Sequence, residues 1–561
     1  MSSLPRWFAP LGLLWMTADC AAVLAATDET SWEHAPSAYK VPAGLVFGGA
    51  YIDRIQPMPV HRGLTTNVWG GDNVKPRDAD NGLEDPQWSY WCMNVHRAAD
   101  GREHMFAVRW PESSPKEHMA WPQSQIVHAV SDHPTGPFVV QQEIGPGHNV
   151  QCYRAKDGTY LLYANKRAYI SRSLEGPWAN YALQYDLRGA PAVKMSNQTF
   201  TQREDGSYLM ISREGQVWIS EDGLQPYKQI TIQSAYPPIE GRFEDPVVWR
   251  DEVQYNLIVN DWFGRTAFYL RSKDGVRWIW DPGLAYDVSV ARHPDGTREN
   301  WYKFERPNVR QDEFKRPTHI YFAVIDSRKD LDKGGDNHSS KIIALPLTVP
   351  RRIELLNTAP VTSAVRHLHV TIKAESGFDP LSEVDVSSLT FGAPSLVNFG
   401  KGCRAETTKE SGRDLIVTFP AFGHGFTADD FAGKLLGKTK RGELLFGYAR
   451  LPGQTYIEPI LRSRAPQMSR QADGELELRV PVENFGQIAS SAGRVEIVFT
   501  QGNSQTRLAR ANFPAIRPYG RHDGLLTMPA QCRSGVYDAE VILHVSGRPA
   551  EILHISEVNV P

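Results

Sequence analysis

Residues 84–110 read EDPQWSYWCMNVHRAADGREHMFAVRW. An acidic head ending in Asp-Pro leads into an aromatic, apolar run, then an Asp-Gly turn, then a second apolar run. The same order of parts returns four times. Residues 148–164 read HNVQCYRAKDGTYLLYA, 196–211 SNQTFTQREDGSYLMI, 244–261 EDPVVWRDEVQYNLIVND and 305–326 ERPNVRQDEFKRPTHIYFAVID. Counted between the second residues of the heads (85, 149, 197, 245 and 306), the steps are 64, 48, 48 and 61 residues. Short apolar runs bounded by Asp-Gly are hairpin strands. A repeat of this length with about four strands per unit marks a β-propeller blade, which cannot cover its own apolar faces and buries them against its neighbours around an axis. Five heads predict an all-β chain with a five-bladed propeller over residues 45–350.

Residues 355–561 have fewer Trp and longer alternating stretches, such as Asp414–Phe419 and Arg494–Thr500. This pattern predicts two β-sandwich modules, 355–460 and 462–561. Either support for the propeller or weak glycan binding is open to them. A chain of 561 residues with 41% hydrophobic and 22% charged residues is globular rather than disordered or fibrous. Lys and Arg number 61 against 64 Asp and Glu, and a net charge of -3 argues against a whole-surface nucleic-acid binder, while leaving a local basic patch open.

Residues 1–26, MSSLPRWFAPLGLLWMTADCAAVLAA, have the form of a secretory signal peptide: Arg6 ahead of a short apolar stretch, then small residues suited to cleavage. The expected location is therefore secreted or periplasmic. No run reaches the roughly 18 apolar residues of a transmembrane span. Cys20 would leave with the leader, and Cys92, Cys152, Cys403 and Cys532 match no zinc-binding spacing. Neither a Gly-rich phosphate loop nor a Gly-x-Ser-x-Gly elbow is present.

The ends of the units carry a further pattern. Thr135-Gly136-Pro137-Phe138 follows HAVSDHP, Glu175-Gly176-Pro177-Trp178 follows ISRSL, and SEDGLQPY and SKDGVRW stand at equivalent places. This ending resembles that of the five-bladed β-propeller glycoside hydrolases, the superfamily of families 43, 32, 62 and 117. The resemblance implies an active site at one end of the axis, where the innermost strand of each blade begins. In family 43 it implies an Asp base in the first blade, an Asp that tunes pKa in a middle blade and a Glu acid in the fourth, with inversion at the sugar carbon. Asp85 then stands for the base and Glu244 for the acid. The middle blade departs from the plan, with Asn197 in place of Asp, and His148-Asn149 looks more like the His-Asn heads of family 117.

Glycoside hydrolysis needs one protonated and one ionised carboxyl group at the same pH. Glu84, Asp85, Glu244, Asp245 and Glu305 are the candidates. Neighbours on a strand point to opposite faces unless a bulge intervenes, so Asp245 is the alternative to Glu244. His148 has three open roles: acid or base, ligand of a cation such as calcium on the axis, or a hydrogen-bonding strut between blades. Arg109, Trp110, Asn149, Asn197, Arg213, Trp262, Arg265, Glu305 and Arg306 are the expected substrate contacts. Several arginines in one pocket would select uronic or sulfated sugars. The expected partner is thus a plant or algal polysaccharide or oligosaccharide, cut from a chain end, with no organic cofactor. A polysaccharide lyase on the same fold and a non-catalytic glycan-binding protein are the competing readings.

Overall fold

The computed structural model describes residues 37–188, 194–502, 504–528 and 534–561. The expected leader, Cys20 and Cys532 lie outside the described residues. Strands dominate, and helix is confined to short turns such as Pro380–Glu383 and Pro394–Val397.

Five sheets follow one another along residues 88–346, antiparallel apart from the parallel pairing of Tyr227–Gln229 with Tyr185–Asp186. Their first strands are Trp88–Arg97, Gln151–Arg154, Thr199–Gln202, Phe243–Arg250 and Lys303–Gln311. Each of these touches the first strand of the next sheet, and the fifth touches the first, so they form a closed ring. This is the arrangement of a five-bladed propeller, with the first strands lining the axis. We number the blades one to five in chain order. The Asp-Gly turns sit where the repeat placed them: Gly101, Gly158 and Gly206 join the first two strands of blades one, two and three with φ of 84°, 88° and 85°. A side chain is strained in that left-handed conformation, which explains the glycine.

Blade five contributes only three strands, Lys303–Gln311, Pro317–Ile325 and Ser340–Pro346. The chain ahead of blade one pairs with the last of them: Leu83 and Ile342 exchange two main-chain hydrogen bonds, at 2.9 and 3.0 Å. Ile55 bridges Leu347 just beyond it, through the bonds of Gln56 N–H to the Pro346 carbonyl (2.8 Å) and Thr348 N–H to the Arg54 carbonyl (2.7 Å). N-terminal residues therefore close the ring.

Beyond the ring, residues 353–450 form two four-stranded sheets that share one core, including Leu368, Val370, Phe391, Val417, Phe419 and Leu435. Residues 461–560 form two more, around Leu478, Val480, Ile497, Phe499 and Val541. Both pairs are fastened to the propeller by buried arginines. Arg54 lies over the rings of Tyr51, Tyr269 and Phe446 at 4.6, 4.8 and 4.5 Å and donates to Tyr448 Oη at 3.0 Å. Arg203 donates to the carbonyl of Phe485 at 2.8 Å, and Arg188 pairs with Glu483. A guanidinium held among aromatic faces keeps its charge by cation–π attraction and covers apolar area with its stem. Arg54→Ala should lower unfolding stability by about 2–4 kcal/mol, read as a lower midpoint in urea denaturation of the full chain.

Candidate functional site

Where the first strands meet the axis, each blade supplies one non-glycine residue with positive φ: Cys92 (46°), Asn149 (58°), Asn197 (49°), Asp245 (54°) and Arg306 (52°). Such residues cost of order 1–3 kcal/mol each and persist only when their surroundings hold them. The surroundings here are one another. Cys92 Sγ donates to Asn149 Oδ1 at 3.0 Å, and Asn149 Nδ2 donates to Asn197 Oδ1. Asn197 Nδ2 donates to Asp245 Oδ1 at 2.7 Å. Arg306 donates to Asp245 from Nη1 at 2.6 Å and from its main-chain N–H at 3.2 Å. All five residues are buried. The ring is thus knit by side chains, and its one anion and one cation neutralise each other.

Four of the five heads fall in this ring as the sequence placed them. The fifth is a correction. Blade one contributes Cys92, not Asp85. Asp85 lies seven residues earlier, a path of roughly 20 Å along an extended chain, and its Oδ1 accepts the Gln87 amide at 2.8 Å in a local turn. Glu84, its neighbour, is an ion-pair partner of Arg77 and Lys341. The interval to the Asp-Gly turn would have given the right residue: Asn149 and Asn197 each precede the Asp of that turn by eight positions (157 and 205), and eight before Asp100 is Cys92.

We call the residues just before the ring members, Trp91, His148, Ser196, Glu244 and Glu305, the second tier. Register shifts between Trp91 and Met93, Glu244 and Val247, and Glu305 and Asn308 show that the strands bulge here. Bulges break strict alternation, so adjacent Glu244 and Asp245 are both directed to the axis. Glu244, Asp245 and Glu305 each bring a carboxylate oxygen within 4.8 Å of the others. Their settings differ. Glu244 is largely buried, pairs with Arg213 at 2.6 Å and receives a 3.4 Å contact from Asn197 Nδ2. Burial first, and then the negative charge of Asp245, push its pKa up to about 7 despite Arg213. Burial alone would raise Glu305 as well, but Lys303 Nζ at 2.8 Å and Lys329 Nζ at 2.6 Å hold it far below the usual carboxylate range.

His148 accepts or donates at Nδ1 to Ser124 Oγ (3.0 Å), lies 3.9 Å from Cys92 Sγ, and packs against Trp121 with centroids 4.8 Å apart. Burial, then Arg306 and Lys329, hold its pKa well below the ordinary histidine value, so the ring is neutral near pH 7. Within the central ring the charge facing Asp245 is the guanidinium of Arg306.

The other expected contacts divide. Arg213 stands at the mouth with its side chain 33% exposed. Trp262 lies under Lys303 Nζ at 4.6 Å, and Arg265 lies over Tyr302 at 5.0 Å and donates to its carbonyl at 3.3 Å. These are partly exposed around the second tier. Trp110 is corrected from sugar platform to core: it is fully buried, edge-on to His118. Arg109 stacks on Trp88 at 4.0 Å and faces Glu143 at 3.6 Å, in blade one's own sheet. Asn149, Asn197 and Arg306 are ring members, bonded to their ring neighbours through Asn149 Nδ2, Asn197 Nδ2 and Arg306 Nη1. Lys303 and Lys329 escaped the sequence reading. A separate cavity of about 220 Å³ lies between the propeller and residues 353–450, lined by Trp249, Phe314, Arg351 and Phe446, away from this tier.

Neither a protein-family profile nor a curated protein matches the chain. Among solved structures it has distant similarity to family-43 glycoside hydrolases. An α-L-arabinofuranosidase from Lactobacillus brevis aligns at 10% identity over 47% of this chain and 92% of its own, with a TM-score of 0.33. A thermostable family-43 glycoside hydrolase aligns at 11% over 56% and 96%, TM-score 0.32. The family-43 protein BlXynB from Bacillus licheniformis aligns at 8% over 85% and 91%, TM-score 0.32.

The ring gives a direct test. Asp245→Ala leaves Arg306 buried without its counter-ion, and loss of one partner from such a pair costs about 3–5 kcal/mol. The expected result is a large fall in the denaturation midpoint. Arg213→Ala, at the partly exposed mouth, should change stability far less.

Proposed function

We propose that the protein is a glycoside hydrolase whose reaction takes place at the second tier, with Glu244 as the proton donor. The observation that carries this reading is the pairing of two carboxyl groups with oxygens within 4.8 Å, one raised to a pKa of about 7 and the other held ionised by two lysines. A neutral acid for the leaving oxygen and an anion for the positive charge at the sugar carbon are the two states that glycosidic cleavage needs together. Glu305 takes the second role. The position of Glu244, at the head of the fourth blade, agrees with the family plan. The inverting course implied by that plan required Asp85 as base, and a thiol, Cys92, holds the corresponding ring position. Carboxyl groups as close as Glu244 and Glu305 fit the roughly 5–5.5 Å of retaining enzymes better than the roughly 6.5–9.5 Å of inverting ones.

In the same proposal the protein is exported. Residues 45–350 carry the reaction, and 355–460 and 462–561 are sandwich modules that brace the propeller. The substrate is an acidic glycan cut from its end. Support for an acidic sugar comes from Arg213, Arg265 and Lys329 around the tier, and Trp121, 38% exposed beside His148, is available to stack on a ring. A second reading, a glycan-binding protein without turnover, is favoured by Cys92 and Asn197, which stand where the resemblance puts Asp.

Incubating the full chain with neutral, uronic and sulfated glycans and weighing the products separates the readings. Products one water heavier than the cleaved residue are expected. An unsaturated product would mean a lyase, and binding without product would mean the second reading. With a substrate in hand, turnover should fall as pH rises through about 7, because Glu244 must be protonated to act. Glu244→Gln should cut turnover by roughly 10²–10⁴-fold with binding retained. Arg213→Gln removes the charge that restrains the Glu244 pKa and should move the basic limb to higher pH. A Glu244→Gln variant with undiminished turnover would end the assignment.

A further inference from the structure

Several buried acids in this propeller have a lysine or arginine against them. Glu103 faces Arg310, Asp281 faces Arg271, Asp245 faces Arg306, and Glu305 faces two lysines. One group is different. Glu112 and Glu117 lie just after the second strand of blade one, and Asp332 and Asp336 lie in the loop between the last two strands of blade five. Glu112, Glu117 and Asp332 are 8%, 0% and 4% exposed. Glu117, His118 and Asp332 each bring a ligand atom within 4.8 Å of the others, and Glu112, Asp332 and Asp336 do the same, so Asp332 joins the two sets. Among the described residues, none of the four carboxylates forms a salt bridge with a lysine or arginine.

Part of the group is tied down. Ser89 Oγ donates to Glu112 Oε2 at 2.9 Å and contacts Glu117, Ser339 Oγ donates to the same Glu112 oxygen at 2.7 Å, and Asp336 accepts two main-chain amides. The rest is orphaned. Glu112 Oε1, Glu117 Oε2, both oxygens of Asp332 and His118 Nδ1 are buried without a hydrogen-bond partner. The main chain of His118 is the one favourable neighbour of Asp332, outside hydrogen-bond geometry. Buried carboxylates left unpaired are among the most costly arrangements in a protein interior, and a metal ion is one of the few things that relieves them.

We propose that Glu112, Glu117, Asp332 and Asp336 bind a divalent cation, best suited to calcium, at the seam between blade one and blade five. The donors are hard carboxylate oxygens, as calcium prefers. Calcium–oxygen distances of about 2.3–2.6 Å let donors on opposite sides of one ion stand about 4.6–5.2 Å apart, which accommodates the separations of up to 4.8 Å within each set, whereas magnesium draws its ligands closer. The ion would bridge the two blades where the ring closes. It would also fix the loop carrying Lys329, three residues before Asp332, whose Nζ pairs with Glu305. The site is separate from the axis and does not depend on the hydrolase reading.

The test uses the full chain stripped with EDTA and titrated with terbium, a luminescent substitute for calcium. Trp91 and Trp110 stand edge-on to His118, with centroids 4.7 and 5.5 Å away, close enough to sensitise an ion in the site. Saturable sensitised emission that calcium displaces is expected, together with a calcium-dependent rise in melting temperature. Asp332→Asn should weaken terbium binding by on the order of 100-fold and abolish the calcium effect on melting. If that variant does not fold, Glu117→Gln gives the same readout. Three results would overturn the proposal: no saturable emission from the wild type, a melting temperature indifferent to calcium, or wild-type terbium affinity in the folded variants. The second would mean that shared protons neutralise the cluster, and the third that the ion sits elsewhere, such as the Glu244, Asp245 and Glu305 set.

Discussion

The axis of this molecule is organised around the buried ion pair of Arg306 with Asp245. Each of its partners sits in a left-handed backbone conformation that a free chain avoids. The pair is stabilised because Arg306 donates to the carboxylate from both its guanidinium and its main-chain N–H, and because Asn197 donates to one of the carboxylate oxygens as well. From there the amide of Asn149 and the thiol of Cys92 continue the series to blade one. Five strained residues thereby support one another, and in blades one, four and five the first strand bulges at the strained residue.

This division of labour has an electrostatic result. The lower tier is neutral overall, but its carboxylate lies beside Glu244 and raises it. The arginine of the pair reaches His148 and lowers it. The lysines that hold Glu305 ionised come from blade five itself, one on its first strand and one on a loop beyond its second. Two glutamates in adjacent blades, with the same place in the repeat, thus have opposite protonation preferences because one neighbour is anionic and the other pair is cationic.

Much of the fold was legible in the sequence because blade period and Asp-Gly turns are local signals. The repeat placed Asn149, Asn197, Asp245 and Arg306 in one ring. It failed at blade one, where Glu84-Asp85-Pro86 imitates the head Glu244-Asp245-Pro246 seven residues too early. The first strand of that blade simply starts sooner, so its bulge falls at Cys92, inside the run. The need for a pair of carboxyl groups put Glu244 among the candidates, but Lys329 and Lys303 were beyond reach, since nothing in the sequence says that a loop of blade five folds back over its own head. Trp110 was misread for the opposite reason: an aromatic next to an arginine at a strand end looks like a sugar platform, and its burial is decided by the 3₁₀ turn Glu117–Gln123 packed over it.

The closure of the ring bears on how the chain reaches its fold. Leu83 pairs with Ile342 and Ile55 with Leu347, contacts between residues 259 (342 minus 83) and 292 (347 minus 55) positions apart. Contacts between remote residues form late and slowly, because a long loop must be closed before they yield anything. During synthesis the first four blades emerge while the strand partner of the N-terminal segment does not yet exist. Until residue 347 has left the ribosome, that segment and the open flank of blade one present unpaired edges, which makes this interval the one in which the nascent chain most needs protection from association with its neighbours.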